Sequence, residues 1–242
     1  MSVGASWSGS RFHSPSTEPR ITQHSVAYRR PAPPRESSAV FVFHYHLLTS
    51  HVRDVEARYV GRLGFELLAR YGRIGEQNVS IEPGTGWDEL DAQGFRLRLT
   101  ELQRGAVNIV VQPGNGRVPR VDHIGIVLAD DDFEAALARA SAWNLPVSER
   151  GGRRTFVSTN AGYRVELHPP GLRIDELLDR SDELRLLELQ LVAEDPELKA
   201  NMLADLLGVL PADGVVPIGD TVVRFLAGGP EGRPQLLGER FG

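Results

Sequence analysis

The chain has 242 residues, 41% hydrophobic and 24% charged, a globular composition long enough to bury a proper core in one large domain or two smaller ones. A formal charge of −5 and a pI near 5.8 leave no field to draw the whole protein onto nucleic acid, and no apolar run approaches the ~20 residues a membrane-spanning helix needs. Cysteine is absent, which excludes disulfides, thiolate ligands and a cysteine nucleophile, so any metal must be held by nitrogen and oxygen. The first residues contain no apolar signal segment, and the cytoplasm is the expected compartment.

Residues 1–38 are rich in Ser, Pro and Arg, carry only Glu18 and Glu36 as acids, and end in Arg30-Pro31-Ala32-Pro33-Pro34. Such a stretch cannot bury enough apolar surface to offset its ordering entropy, which predicts a disordered arm. Its acid-poor start is also similar to an organellar transit peptide, although no amphipathic helix stands out. Arg29-Arg30 lacks the apolar segment of a twin-Arg signal.

A first unit, residues 39–114, opens with a β-rich run over 39–48 that contains His44 and His46. Val52, Val55, Tyr59, Val60 and Leu63 are spaced for one face of a helix, and Gly64 is a plausible stop. Strand-like runs follow at Glu66–Arg73, Phe95–Leu102 and Ala106–Gln112. Between them, Gly84–Gly94 reads as an insertion, either a plain surface loop or a lid over a pocket. Its Gly84-Thr85-Gly86 has no phosphate-loop surroundings.

A second unit, 119–172, opens with Val121–Leu128 around His123. Its helix carries Phe133, Ala136, Leu137 and Ala140 on one stripe, with Asp130 or Asp131 as cap and Pro146 beyond its end. Strands are expected at Thr155–Ser158 and Tyr163–His168. A third, partial unit, 182–242, opens with Leu184–Val192. Asp195-Pro196 starts its helix, Leu198, Met202, Leu206 and Leu207 are expected on the buried face, and Gly208 closes it. Short strands follow at Thr221–Leu226 and Gln235–Leu237.

The units share their spacing. His44 precedes His51, His123 precedes Asp130 and Glu188 precedes Asp195, each by seven residues, so one polar position recurs on every opening strand. Thirteen residues separate helix start from closing Gly in both the first unit (51 to 64) and the third (195 to 208). These coincidences define a true repeat within an α+β fold.

The opening Val121-Asp122-His123-Ile124-Gly125-Ile126-Val127, the helix end Leu63-Gly64-Phe65 after Tyr59, and the closing Tyr163-Arg164-Val165-Glu166-Leu167-His168-Pro169-Pro170 resemble the vicinal oxygen chelate superfamily. That superfamily includes glyoxalase I, extradiol dioxygenases and drug-resistance proteins. The resemblance covers 39–170 well and 184–240 more loosely. It implies βαβββ modules, two of them paired into a curved eight-stranded mixed sheet with a metal on its concave face. It also implies ligands from the first and last strands of each module: His44, His123 and Glu166. In the last strand of the first unit, Ile109 stands where glyoxalase-like members carry a fourth ligand. Two histidines and one carboxylate suit a divalent metal with open positions, iron(II) first, with manganese, zinc or nickel as alternatives.

His46 and His168 lie two residues from His44 and Glu166, hence on the same strand faces. Each is a candidate general base or ligand-orienting group, or simply a packed histidine, and His46 rivals His44 as ligand. Glu188 takes the ligand-equivalent place in the third unit, either as a structural residue or paired with another subunit. Tyr163 and Arg154 are candidates for an anionic substrate group.

The implied function is a metal-dependent enzyme acting on a small molecule with vicinal oxygens, dioxygenase-like or glyoxalase-like. Against ring cleavage, Phe156 and Val147 stand where extradiol enzymes carry a further His and Tyr. A lyase or isomerase working through a metal-bound enediolate, a metal-free sequestering protein and a purely structural role stay open. The expected partner is a small-molecule substrate, without nucleic acid or membrane, and a homodimer is left open.

Overall fold

The computed structural model describes residues 40–150, 154–169, 178 and 184–242, so the expected arm at 1–38 lies outside the described residues. The first module runs β1 (Phe41–Thr49), α1 (Val52–Leu63), β2 (Glu66–Ile74), β3 (Gln77–Ile81), α2 (Trp87–Ala92), β4 (Phe95–Arg104) and β5 (Val107–Pro113). The second runs β6 (Arg120–Val127), α3 (Asp130–Ala142), β7 (Val147–Arg150), β8 (Arg154–Ser158) and β9 (Arg164–His168). The third runs β10 (Leu186–Ala193), α4 (Pro196–Leu207), β11 (Val215–Ile218), β12 (Thr221–Ala227) and β13 (Gln235–Phe241). Among the described residues, no helix is long and apolar enough to cross a membrane.

The described strands form one curved, mixed sheet in the order β11-β12-β10-β13-β6-β1-β5-β4-β2-β3, with β9, β8 and β7 branching from β6. The connections repeat. Each opening strand lies parallel to a later strand of its own module, β1 with β5, β6 with β9 and β10 with β12. The opening strands of the first two modules lie antiparallel to each other. Among the described residues those two modules hold nine strands rather than the expected eight, because β3 folds back on β2 as an added hairpin arm.

Side chains alternate across a strand, so the apolar positions of β1, β5, β6 and β9 meet the helices on one face. Tyr45, Leu47, Ile109, Val111, Ile124, Ile126, Val165 and Leu167 are all buried there, in one core with Tyr59 of α1 and Ala136 and Ala140 of α3. The Tyr45 and Tyr59 hydroxyls meet at 3.1 Å. Arg70 forms a buried, two-pronged ion pair with Glu56 at 2.6 and 2.9 Å, and the Thr100 hydroxyl adds a third bond to that carboxylate.

Helix ends follow local chemistry. Gly64 and Gly208 close α1 and α4 in the left-handed conformation, at φ 69° and 74°. The Asp195 carboxylate accepts from the Leu198 amide at 2.9 Å, as expected of a cap. In the second module no side chain among the described residues caps α3. Ala129 holds the cap position and Asp130 falls in the first turn, where its charge meets the helix dipole instead. The stripe expected on α4 is shifted. Leu198 is 49% exposed, while Lys199, Ala200, Leu203 and Ala204 are buried with Leu206 and Leu207. The reason is Lys199, whose ammonium donates to the carbonyls of Ala161 and Gly232 and so ties α4 to the second module.

The insertion over 84–94 contains α2 and does not cover the histidine face. Trp87 donates to Glu56 on α1 at 3.1 Å and lies between the guanidinium groups of Arg53 and Arg70. This anchors α2 on the opposite side of the sheet from His44.

Candidate metal centre

The sheet face turned away from α1 is polar where β1, β6 and β9 run side by side. Two cross-strand rows define it. One runs Gln103, Asn108, His44, Gly125, Glu166, Phe156 across six strands. The next runs Glu101, Val110, His46, His123, Arg164, Ser158. His168 lies one row beyond, opposite Val127. Thus the candidate residues His44, His46, His123, Glu166 and His168 share one face, and all but the half-buried His46 are buried, whereas Glu188 lies apart on β10.

Gly125 makes the gathering feasible. A Cβ there would stand 2.7 Å from the Cβ of His44 and 2.9 Å from the Phe43 ring, so only glycine leaves the gap through which His44 reaches its neighbours. The result is close convergence. His44 Nε2 lies 3.1 Å from His123 Nε2, which in turn lies 3.1 Å from Glu166 Oε2. The donor atoms of His44, His46 and His123 all fall within 4.8 Å of one another.

The surrounding hydrogen bonds decide which atoms carry lone pairs. Asn108 Nδ2 donates to Glu101 at 3.0 Å, which orients the amide and leaves its oxygen toward His44. That oxygen only accepts, so the 2.8 Å contact requires His44 to donate from Nδ1. His123 likewise donates Nδ1–H to the Asp122 carboxylate at 2.9 Å. Both imidazoles therefore turn Nε2 into the site, the arrangement that outer hydrogen bonds impose on metal-ligating histidines. His168 donates Nε2–H to Glu166 Oε1 at 2.8 Å and holds that carboxylate in place. Among the described residues, the buried ring nitrogens His46 Nε2 and His168 Nδ1 meet no hydrogen-bond partner.

Charge is arranged to keep nitrogen neutral and oxygen ionised. Burial and the neighbouring His123 push His44 down to about 3 and His46 down to about 4. Burial opposes ionisation of Glu166, but the neighbouring His123 and His44 rings and the hydrogen bond from His168 outweigh it and hold the carboxyl below its usual range. Asp122 is held low in the same way, by His123 and by Arg164, against the cost of burial. Arg233 adds a 3.0 Å ion pair to Asp122, and Arg154 reaches within 3.8 Å of Glu166.

Two expectations need correction. Ile109 is fully buried on the core side, and the residue of β5 beside His46 on the histidine face is Val110, so the parity of that strand is one residue off the sequence reading. Tyr163 is also on the core side, its hydroxyl donating to the Lys199 carbonyl at 2.9 Å, and takes no part in the site. The sequence reading missed Asp122, Asn108 and Gly125 as supporting residues. The Asp-His and His-Ile-Gly steps were visible, but their roles depend on neighbours from other strands.

Paired modules with opening strands antiparallel and polar donors on the open face define the vicinal oxygen chelate fold. Among solved structures, the chain is similar to a mutant form of 4-hydroxymandelate synthase from Streptomyces coelicolor, with a TM-score of 0.54 and 14% identity over 85% of this chain and 71% of that one. It is similar to a xylose isomerase-like TIM barrel/4-hydroxyphenylpyruvate dioxygenase fusion protein at a TM-score of 0.50 and 16% identity, over 82% of this chain and 34% of that one. At such identity the likeness is one of fold. No family model and no curated protein matches the sequence.

Proposed function

We propose that the chain is a metal-dependent enzyme acting on a small molecule with two adjacent oxygen atoms, its divalent cation held by His44, His123 and Glu166. One observation carries this reading. Three lone-pair atoms, two imidazole nitrogens and a carboxylate oxygen, converge at successive separations of 3.1 Å while their other ends are committed elsewhere. Roughly 3 Å is the spacing of adjacent donors around a cation bound at ~2.1 Å, and His123 stands at that spacing from both His44 and Glu166. A bound divalent metal supplies Lewis acidity, polarising the substrate oxygens it touches.

The remaining residues orient and handle protons. Asp122 and Asn108 fix the imidazole tautomers, and His168 holds Glu166 through Nε2–H while its Nδ1, which meets no partner among the described residues, can accept a proton. Phe43 and Phe156 pack edge-on against His168 and His123 and line the ligand side with apolar surface. Arg154, 58% exposed at the rim, is available to an anionic substrate group.

One observation supports a metal-free binding protein instead. A proton on His123 Nε2 would let that ring bridge Asp122 and Glu166 without any cation. Metal content of purified protein separates the two. Bound iron, manganese, zinc or nickel is expected in wild type and is lost from His123→Ala and Glu166→Ala. Equal, near-zero metal in all three would sink the enzyme reading.

A further inference from the structure

We propose that His46 is a third imidazole donor to the same cation, so that the chain offers three nitrogens and one carboxylate. This rests on the reading of a metal site at His44, His123 and Glu166, and extends it.

Strands β1 and β6 are related by a local two-fold axis. Paired rows His44 with Gly125 and His46 with His123 lie on either side of that axis. Exchange of the two strands therefore maps His44 onto His123 and Gly125 onto His46. Glu166 stands beside Gly125 on β9, and its counterpart, beside His46 on β5, is Val110. A symmetric four-donor site would need a donor at residue 110, and valine has none. The lost donor is replaced one strand over, because the position that is an obligatory glycine on β6 is a histidine on β1. Each half of the site then contributes two donors: His123 with Glu166, and His44 with His46.

The local geometry agrees. The donor atoms of His44, His46 and His123 fall within 4.8 Å of one another. His46 Nε2 is shielded from solvent and has no hydrogen-bond partner among the described residues, an arrangement that is costly unless something else meets it. Its ring lies 4.8 Å from that of His123, opposite it across the strand pair.

The consequence is chemical. A divalent cation held by three imidazoles and a carboxylate would supply Lewis acidity to the adjacent oxygens of a substrate, and His168 Nδ1, which meets no partner among the described residues, could take a proton beside it.

The test counts nitrogens directly. Chelator-stripped wild-type protein is reloaded with Cu(II), and pulsed electron paramagnetic resonance counts coupled imidazoles. Three are expected in wild type and two in His46→Gln. In parallel, Co(II) affinity measured against a chromophoric chelator is expected to fall in His46→Gln by at least roughly tenfold, the lower bound for disturbing even a ligand's hydrogen-bond partner. A wild-type count of two imidazoles overturns the proposal while leaving the three-residue site standing, and this needs no variant to fold. Unchanged cobalt affinity in a folded His46→Gln protein overturns it as well. Wild-type protein that takes up neither metal overturns both this proposal and the reading beneath it.

Discussion

The junction of β1 with β6 and the junction of β10 with β13 are the same piece of backbone built twice. In the first, one residue is skipped between Val42 and His44 and another, Asp122, between His123 and Val121. In the second, the skips fall at Leu187 and Leu237, in matching places. By that register His44 corresponds to Glu188, His46 to Gln190, Gly125 to Arg240 and His123 to Gly238. The chemistry does not correspond. Glu188 is bonded by Arg224 at 2.9 Å and approached by Arg240 at 3.5 Å, so its charge is met by guanidinium groups instead of by converging imidazoles. A shared register thus brings side chains together, and residue identity alone decides whether the result is a ligand set or an ion-paired surface.

The contrast is open to experiment. The largest effect is expected from Glu166→Ala, which should weaken metal binding by well over the roughly 10- to 100-fold that follows loss of a ligand's hydrogen-bond partner. Glu188→Ala should leave metal affinity, read by chelator competition, unchanged. A comparable loss in both would break the distinction between the junctions. Next in size is Gly125→Ala. The new methyl meets His44 and Phe43 at 2.7 and 2.9 Å, so a loss of about 1–3 kcal/mol by urea denaturation is expected, together with reduced metal uptake. Gly238→Ala meets only Gln190 Oε1 at 3.8 Å and should cost nothing measurable.

Acid supplies a third comparison. In the folded, metal-free protein His44 and His46 stay neutral down to about 3 and about 4, whereas the unfolded chain binds their protons near 6.5. The unfolded state therefore holds more protons through this window, and stability falls as pH drops from about 6.5 to about 4. His44→Asn should flatten that slope in pH-dependent denaturation curves, and an unaltered slope would contradict the burial assigned to this ring. The smallest effect is expected from Glu188→Gln. A half-buried ion pair at the sheet surface contributes about 0–1 kcal/mol, and the melting curve should barely move.

Much of this was legible in the sequence. The seven-residue interval marked His44, His123 and Glu188 as equivalent, and the two junctions bear that out in register. Glu166 and His168 followed from the closing strand. What could not be read was parity. The pairings of β5 with β1 and β4 are unbroken, but its run is apolar on both faces, so the sequence does not show which of Ile109 and Val110 lies beside the histidines. Lys199 was invisible for another reason. Its burial is made acceptable by two carbonyls more than thirty residues away in sequence, Ala161 and Gly232, which no local pattern reports. Short strands such as β7 and β11 carry too few residues to show a period.

Strand β6 bonds to β1, β9 and β13, and its contacts reach far along the chain: 79 residues separate His44 from His123, and 111 separate Asp122 from Arg233. Closing such loops is entropically slow, and it must precede the contacts that reward it. The donors therefore come together only after most of the chain has been synthesised and collapsed. An ion present during refolding would reward this last closure, so its addition is expected to slow unfolding more than it speeds folding.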